Sequence, residues 1–273
     1  MDIAQGFIDV EGGRLYYEIR GHGPPVLLVQ GGLSEAGATA RLAERLAGHY
    51  QVISYDRRGL SRSTVAGDEP PVTMSLHAQD AAALLETVTE SPARVAGASI
   101  GAVIGLDLTV HHPDLVEVLV AHEPPMPALV RDPEQEAGLD EVADLARHDV
   151  TAALKHFVSL GGRRKESPEP DARPPDPVGD LQANLQRFFD TDFAAVRTAR
   201  LDADALAAAA HQAPIIPTGG QDSQGGWEQR CAQQLADMLD RPLVTLPGGH
   251  NGLVSHPRAS AAALTALFEE HAI

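Results

Sequence analysis

Along the first half of the chain, short apolar runs alternate with longer segments in which apolar residues recur at helical spacing. Phe7 to Val10 and Leu15 to Arg20 flank Gly12 and Gly13 and predict an opening β-hairpin. Pro25 to Val29 is apolar without alternation, as expected of a strand covered on both faces, and it ends in Gln30, Gly31 and Gly32. A helix over about 35–46, apolar at Leu42, Leu46 and the alanines between, precedes a strand from Tyr50 to Tyr55. Beyond a polar turn at 56–63 and a loop with Pro70 and Pro71, Ser75 stands where an N-cap is expected for a helix from Leu76 to Val88. The apolar run Ala93 to Ala96, a helix over 102–110 and a strand from Val116 to Ala121 continue the series without internal repeats. Strand and helix in strict alternation predict an α/β fold with a doubly wound, mostly parallel sheet.

The rhythm changes between Glu123 and Ala210. Helical patterns at 134–146, 150–160 and 181–187 surround a charged, proline-rich segment at 163–180 that suits no regular element. An excursion of this length is an inserted helical cap or a separate partner-binding module, and the cap is favoured because the sheet pattern resumes after it. The expected organisation is therefore a core of residues 1–122 and 211–273 with a cap at 123–210. The resumed pattern comprises the run 214–222, a helix over 227–238, a strand over 242–246, the turn P-G-G-H-N-G and a last helix over 258–271.

Candidate chemistry gathers at strand ends. The stretch 95–102, V-A-G-A-S-I-G-A, reads as strand, sharp turn and helix with G-x-S-x-G at the turn. Such a turn strains its central residue, so the flanking side chains must be tiny, as Gly97, Ala98 and Gly101 are. It lifts the Ser99 hydroxyl clear of the sheet and sets it at a helix N-terminus, where free N–H groups favour developing negative charge. In an open parallel sheet the ligand sits beyond the carboxyl ends of the strands. Gly31 and Gly32, Ser99, Asp222 and His250 all lie at such ends, in the order serine, acid, histidine. Asp222 could instead cap the turn near Ser223, and Glu123, in H-E-P-P, is the rival carboxylate. His250 has glycines close on both sides, which leaves it little packing purpose. His122 is expected to pack or to line the pocket.

Five ordered stretches, L-L-V-Q-G-G (27–32), Y-D-R-R-G-L-S-R-S (55–63), V-A-G-A-S-I-G-A (95–102), T-G-G-Q-D (218–222) and P-G-G-H-N-G (247–252), resemble the α/β-hydrolase fold family over nearly the full length. The resemblance implies Ser99 as nucleophile, His250 as base and Asp222 as the acid that orients the imidazole. It also implies an oxyanion hole formed by the backbone N–H groups of Gly32 and Ile100. Gln30, Gly31, His122 and Glu123 are then candidate pocket residues. Two positions depart from the family pattern. Gln30 stands where relatives usually carry histidine, and Ser61 where they usually carry glycine; Gln30 can still brace its loop by hydrogen bonding. The implied activity is a cofactor-independent serine hydrolase cleaving a small carboxylic ester. Alternatives on the same fold are a C–C bond hydrolase, a thioesterase, a lyase of a biosynthetic pathway, or a non-catalytic small-molecule-binding member.

Composition narrows the partners. A formal net charge of −17 in 273 residues argues against nucleic acid or an anionic membrane as partner. One cysteine, Cys231, excludes an intramolecular disulfide and suits a reducing compartment, and its bland reading is a thiol on a helix face. The N-terminal residues carry neither a basic segment nor a long apolar run, so the expected location is cytoplasmic. No metal-ligand spacing and no phosphate-binding glycine loop is present, and neither metal nor cofactor is expected. Arg57, Arg58 and Arg62 read as a structural loop tied to Asp56 by ion pairs. Cap aromatics at Phe157, Phe188, Phe189 and Phe193, with Met126, suggest an apolar or ring-bearing ligand, or equally a packed cap interior.

Overall fold

The opening hairpin pairs β1 (Ile3–Val10) with β2 (Gly13–Arg20), Phe7 opposite Tyr16, around a turn in which Gly12 takes φ 67°. The chain is described here from a computed structural model covering residues 3–161, 167–173 and 176–271. β3 (Pro25–Val29) leads through a 3-10 turn at Ala36–Thr39 into α1 (Ala40–Leu46), and β4 (Gln51–Tyr55) follows. The two-residue strand β5 (Thr64–Val65), which pairs with β2, is too short to leave a periodic signal. α2 (Met74–Val88) begins earlier than the sequence pattern predicts. Its N-cap is Thr73, whose hydroxyl accepts the Leu76 N–H at 3.0 Å, and Ser75 lies inside the first turn. β6 (Ala93–Ala98), α3 (Ile100–His111) and β7 (Val116–His122) complete the first half.

The insert contributes α4 (Pro133–Ala146), α5 (Val150–Leu160), α6 (Leu181–Arg187), a π-turn at Phe188–Asp192, α7 (Phe193–Thr198) and α8 (Ala203–Gln212). Aspartates 132, 149, 180 and 202 set the starts of α4, α5, α6 and α8, each carboxylate accepting N–H groups of the first turn. The chain then returns through β8 (Ile215–Gly220), α9 (Trp227–Met238), β9 (Val244–Leu246), the short α10 (Gly252–Ser255) and α11 (Pro257–Glu270). No helix among the described residues is long and apolar enough to cross a membrane.

The main path of the sheet runs β1-β2-β4-β3-β6-β7-β8-β9, antiparallel at the hairpin edge and parallel from β4 onward. The unbroken apolar run of β3 is explained by cover on both faces. Val26 and Leu28 pack with Leu42 and Leu46 of α1 and Leu264 and Phe268 of α11, whereas Leu27 and Val29 face α2, α3 and α8. A third cluster lies among the inserted helices: Leu139 and Val142 of α4, Val150 of α5 and the aromatics of the π-turn meet Trp227 and Cys231 of α9. Leu206 and Ala210 of α8 belong to the main core, against α3.

Residues 163–166 and 174–175 of the proline-rich segment lie outside the described residues. Its remainder has no helix or strand and is tied to the core by polar contacts. Glu169 accepts the N–H groups of Arg258 (2.8 Å) and Ala259 (3.0 Å) at the head of α11, and donates its own N–H to the Ser255 carbonyl at 2.9 Å. Glu35, nearly buried, accepts the Val178 N–H at 3.0 Å and the Ser61 hydroxyl. Ser61, at φ 50°, also exchanges hydrogen bonds of 2.8 Å with the Asn184 amide, so at this departure from the glycine pattern the hydroxyl serves as a tie between core and cap.

Candidate active site

Ser99 stands between β6 and α3 at φ 55°, ψ −125°, half-buried, with its N–H donated to the His122 carbonyl at 2.9 Å. The two glycines around it are dictated by close backbone approach. A Cβ on Gly97 would collide with the Gly101 carbonyl, and one on Gly101 with the Val29 carbonyl. The N–H groups at the head of α3 precede its first bond, from Ala102 to the Ser99 carbonyl at 2.9 Å.

The turn after β3 lies against this elbow. A Cβ built on Gly31 would stand 3.7 Å from Ser99 Cβ. Gly32 is required for another reason: a Cβ there would come within 2.6 Å of the Phe188 ring, so the cap rests directly on the turn. Gln30 is buried, and its Nε2 donates to Thr39 Oγ1 at 3.2 Å, bracing the turn against the start of α1.

His250 lies in the loop between β9 and α10, its side chain about a third exposed, with Nδ1 2.9 Å from Glu123 Oε2. Glu123, one of the two carboxylates read from the sequence, is thus hydrogen-bonded to this nitrogen. It ends β7 at φ 49° and is fully buried; its Oε1 accepts the Gly220 N–H at 2.7 Å and the Ser223 hydroxyl. Burial alone would raise the Glu123 carboxyl, but the His250 hydrogen bond, the His122 and His250 rings and the Ser223 hydroxyl together hold it below the ordinary carboxylate range. Asp222 is half-buried in the turn after β8, and its N–H donates to the Gly248 carbonyl at 2.8 Å, next to the His250 loop.

His122 is fully buried. Its Nε2 donates to the Gly249 carbonyl at 3.1 Å and its Nδ1 lies 3.2 Å from Thr218 Oγ1, so it supports the loop that carries His250. Ser99 and His250 open on one small cavity, about 30 Å³, lined also by Gln30, Gly31, Leu42 and Asn251. A wider trough of about 460 Å³ runs between the loop 69–72 and the segment from Asp190 to Thr198. The cap aromatics do not line the small cavity. Phe157, Phe188, Phe189 and Phe193 pack on one another with ring centroids 5.1 to 6.3 Å apart, and Met126 is buried in the main core.

The arginine-rich loop after β4 differs from its sequence reading. Arg62 does pair with Asp56, at 2.7 Å, but Arg58 pairs with Asp80 of α2 at 2.6 Å. Arg57 turns inward to Asp192 of the cap at 3.2 Å and to carbonyls of the Gln30–Gly32 turn. Asp56 is satisfied by Arg62 and by the Ala36 N–H. Neither Asp192 nor Phe188 carries a motif that could have pointed to this turn. Arg57 carried one signal: it follows β4, the parallel neighbour of β3.

Comparison with known proteins agrees with this architecture. Residues 24–271 match the family model for the alpha/beta hydrolase fold. The chain is 33% identical over 272 residues, 99% of its length and 98% of the relative's, to the Bacillus subtilis (strain 168) protein named uncharacterized hydrolase YraK. Among solved structures it is similar to an alpha/beta hydrolase from Sphaerobacter thermophilus DSM 20745, with TM-score 0.70, 29% identity and coverage of 96% of this chain and 100% of that one. It is also similar to a thermophilic esterase from Thermogutta terrifontis, with TM-score 0.77, 20% identity and coverage of 99% and 100%.

Proposed function

The chain belongs to the alpha/beta hydrolase fold family, and from that premise we propose that it is a cofactor-independent serine hydrolase of small carboxylic esters, working through an acyl-enzyme on Ser99. The observation that carries this reading is the Glu123 carboxylate on His250 Nδ1, beside a cavity that Ser99 and His250 share. With Nδ1–H donated to the carboxylate, Nε2 is the nitrogen left to accept a proton. In this reading Ser99 Oγ attacks the ester carbonyl carbon as its proton passes to Nε2. The oxyanion accepts hydrogen bonds from the Ile100 and Gly32 N–H groups, and the imidazolium returns the proton to the departing alkoxide. Water then repeats the sequence on the acyl group. In this reading Glu123 holds the tautomer and stabilises the imidazolium, the role that the family resemblance implies for Asp222 with Glu123 as its rival.

The cavity that Ser99 and His250 share is lined by both polar and apolar groups, among them Gln30, Leu28 and Leu42. The test combines a fluorophosphonate probe with p-nitrophenyl esters of graded length. Expected are labelling of Ser99, lost in Ser99→Ala, and turnover of at least one of these esters that disappears in the same variant. Absence of labelling in folded protein, or equal turnover by wild type and Ser99→Ala, overturns the reading. Products are diagnostic as well, since ester hydrolysis releases an alcohol and C–C cleavage does not.

A further inference from the structure

Two adjacent glycines form the turn that faces Ser99, and glycine is the residue least able to hold its own peptide planes. Oxyanion donors are effective only when they are fixed before the charge develops. Some other group must therefore orient this turn. Arg57, 1% exposed, donates Nη1–H bonds of 3.1 Å to the carbonyls of both Gln30 and Gly31, and its Nη2 donates to the Gly32 carbonyl. Three consecutive carbonyls are thus drawn to one guanidinium. In a trans peptide the C=O and N–H point in opposite directions, and no cis bond occurs among the described residues. Binding those carbonyls therefore turns the N–H groups of Gly31, Gly32 and Leu33 away from Arg57. Donation from a cation also polarises each peptide, which strengthens its N–H as a donor.

The cation is itself held by the cap. Asp192, 1% exposed, accepts from Arg57 Nε at 3.3 Å and Nη2 at 3.2 Å, and its other oxygen lies 2.9 Å from Nε2 of the buried His77 on α2. Asp192 ends the π-turn that Phe188 begins, and the Phe188 ring rests on Gly32. One five-residue segment of the cap thus touches the glycine turn at both ends, directly through Phe188 and through Arg57 from Asp192. Wide helical turns of this kind recur at functional sites.

We propose that Arg57, anchored by Asp192, is a positioning residue that presets the Gln30–Gly32 peptide planes for the oxyanion and makes the cap part of the oxyanion machinery. The kinetic half of this proposal rests on the serine-hydrolase reading above; the geometric half does not. Two variants test it, Arg57→Lys, which keeps the charge but loses the fork, and the isosteric Asp192→Asn.

Backbone ¹⁵N relaxation on glycine-labelled protein reads the geometry without any turnover. Order parameters for Gly31 and Gly32 are expected near about 0.85 in the wild type and below about 0.6 in Arg57→Lys. The kinetics are expected to show kcat about 10²-fold lower in Arg57→Lys and about 10-fold lower in Asp192→Asn, with KM within about threefold. Affinity for a trifluoromethyl ketone analogue of the tetrahedral intermediate is expected to weaken by the same factor as kcat. Unchanged order parameters overturn the proposal whatever the activity. Rigid glycines lost without a matching loss of kcat and ketone affinity, in an enzyme whose wild type labels at Ser99, overturn its catalytic half. A wild type that never labels at Ser99 overturns the hydrolase reading instead. Should Arg57→Lys not fold, Asp192→Asn carries both measurements.

Discussion

Ser99 at φ 55° and Glu123 at φ 49° hold left-handed backbone conformations that side chains rarely adopt, at a cost of order 1 kcal/mol each. They end the adjacent parallel strands β6 and β7, so the strain is spent where a hydroxyl and a carboxylate must leave the sheet in fixed directions. Glu123→Gln is expected to lower kcat roughly 10³-fold with KM nearly unchanged, because the amide cannot stabilise an imidazolium. Asp222→Asn is expected to cost less than about tenfold; steady-state kinetics on the two variants decides between the carboxylates. Ser99 and His250 stood out as candidates in the sequence because small residues flank them. Glu123 and Asp222 did not separate there, since they follow neighbouring strands, and the Glu123–His250 hydrogen bond joins residues 127 positions apart. Cys231 gives a second residue-level expectation. Burial pushes its thiol up to about 12, and its side chain is fully buried, so the reactive thiolate is disfavoured and shielded in the native fold. Ellman's reagent should leave the native protein untouched and titrate one thiol in guanidinium chloride.

Among the elements, the strand-turn-helix around Ser99 has the least freedom. Gly101→Ala forces its methyl group into the Val29 carbonyl, backbone that cannot rotate away, so a loss of at least about 2 kcal/mol is expected in urea unfolding. The N-terminus of α2 offers a milder contrast. Thr73→Ala should cost about 1 kcal/mol and Ser75→Ala little, because only the Thr73 hydroxyl caps the helix. The sequence pattern placed the cap at Ser75, two positions late, because the helix's apolar periodicity is read from Leu76. The parallel strands were legible for a clear reason: cover on both faces leaves an unbroken apolar run, as in Pro25–Val29. The π-turn at 188–192 was not, because it is fixed by rings packed edge to face, Phe157 among them, and by the Arg57 ion pair, contacts that no local motif announces.

At the scale of the whole molecule, the segment between β7 and β8 is joined to the sheet by buried charge. Burial by itself would raise the Asp192 carboxyl, but the His77 ring and the Arg57 guanidinium outweigh it and bring it down to about 2. A carboxylate lowered on folding stabilises the native state above its unfolded pKa near about 3.9, and that contribution is lost as pH falls through the folded value. Asp192→Asn should cost about 3–5 kcal/mol at neutral pH by leaving a buried cation unpaired. The gap between its urea midpoint and that of the wild type should narrow between about pH 4 and 2. No sequence motif announces this joint, because Arg57 and Asp192 are 135 residues apart and Asp56 stands next to the arginine.

The contact between Glu169 and the head of α11 bears on how such enzymes could be recombined. Exchanging the whole segment between β7 and β8 for that of another hydrolase would remove the acceptor for two amides of the C-terminal helix, just downstream of the histidine loop. A chimera that keeps residues 167–173 with the host scaffold, or supplies a substitute carboxylate near residue 258, avoids that defect.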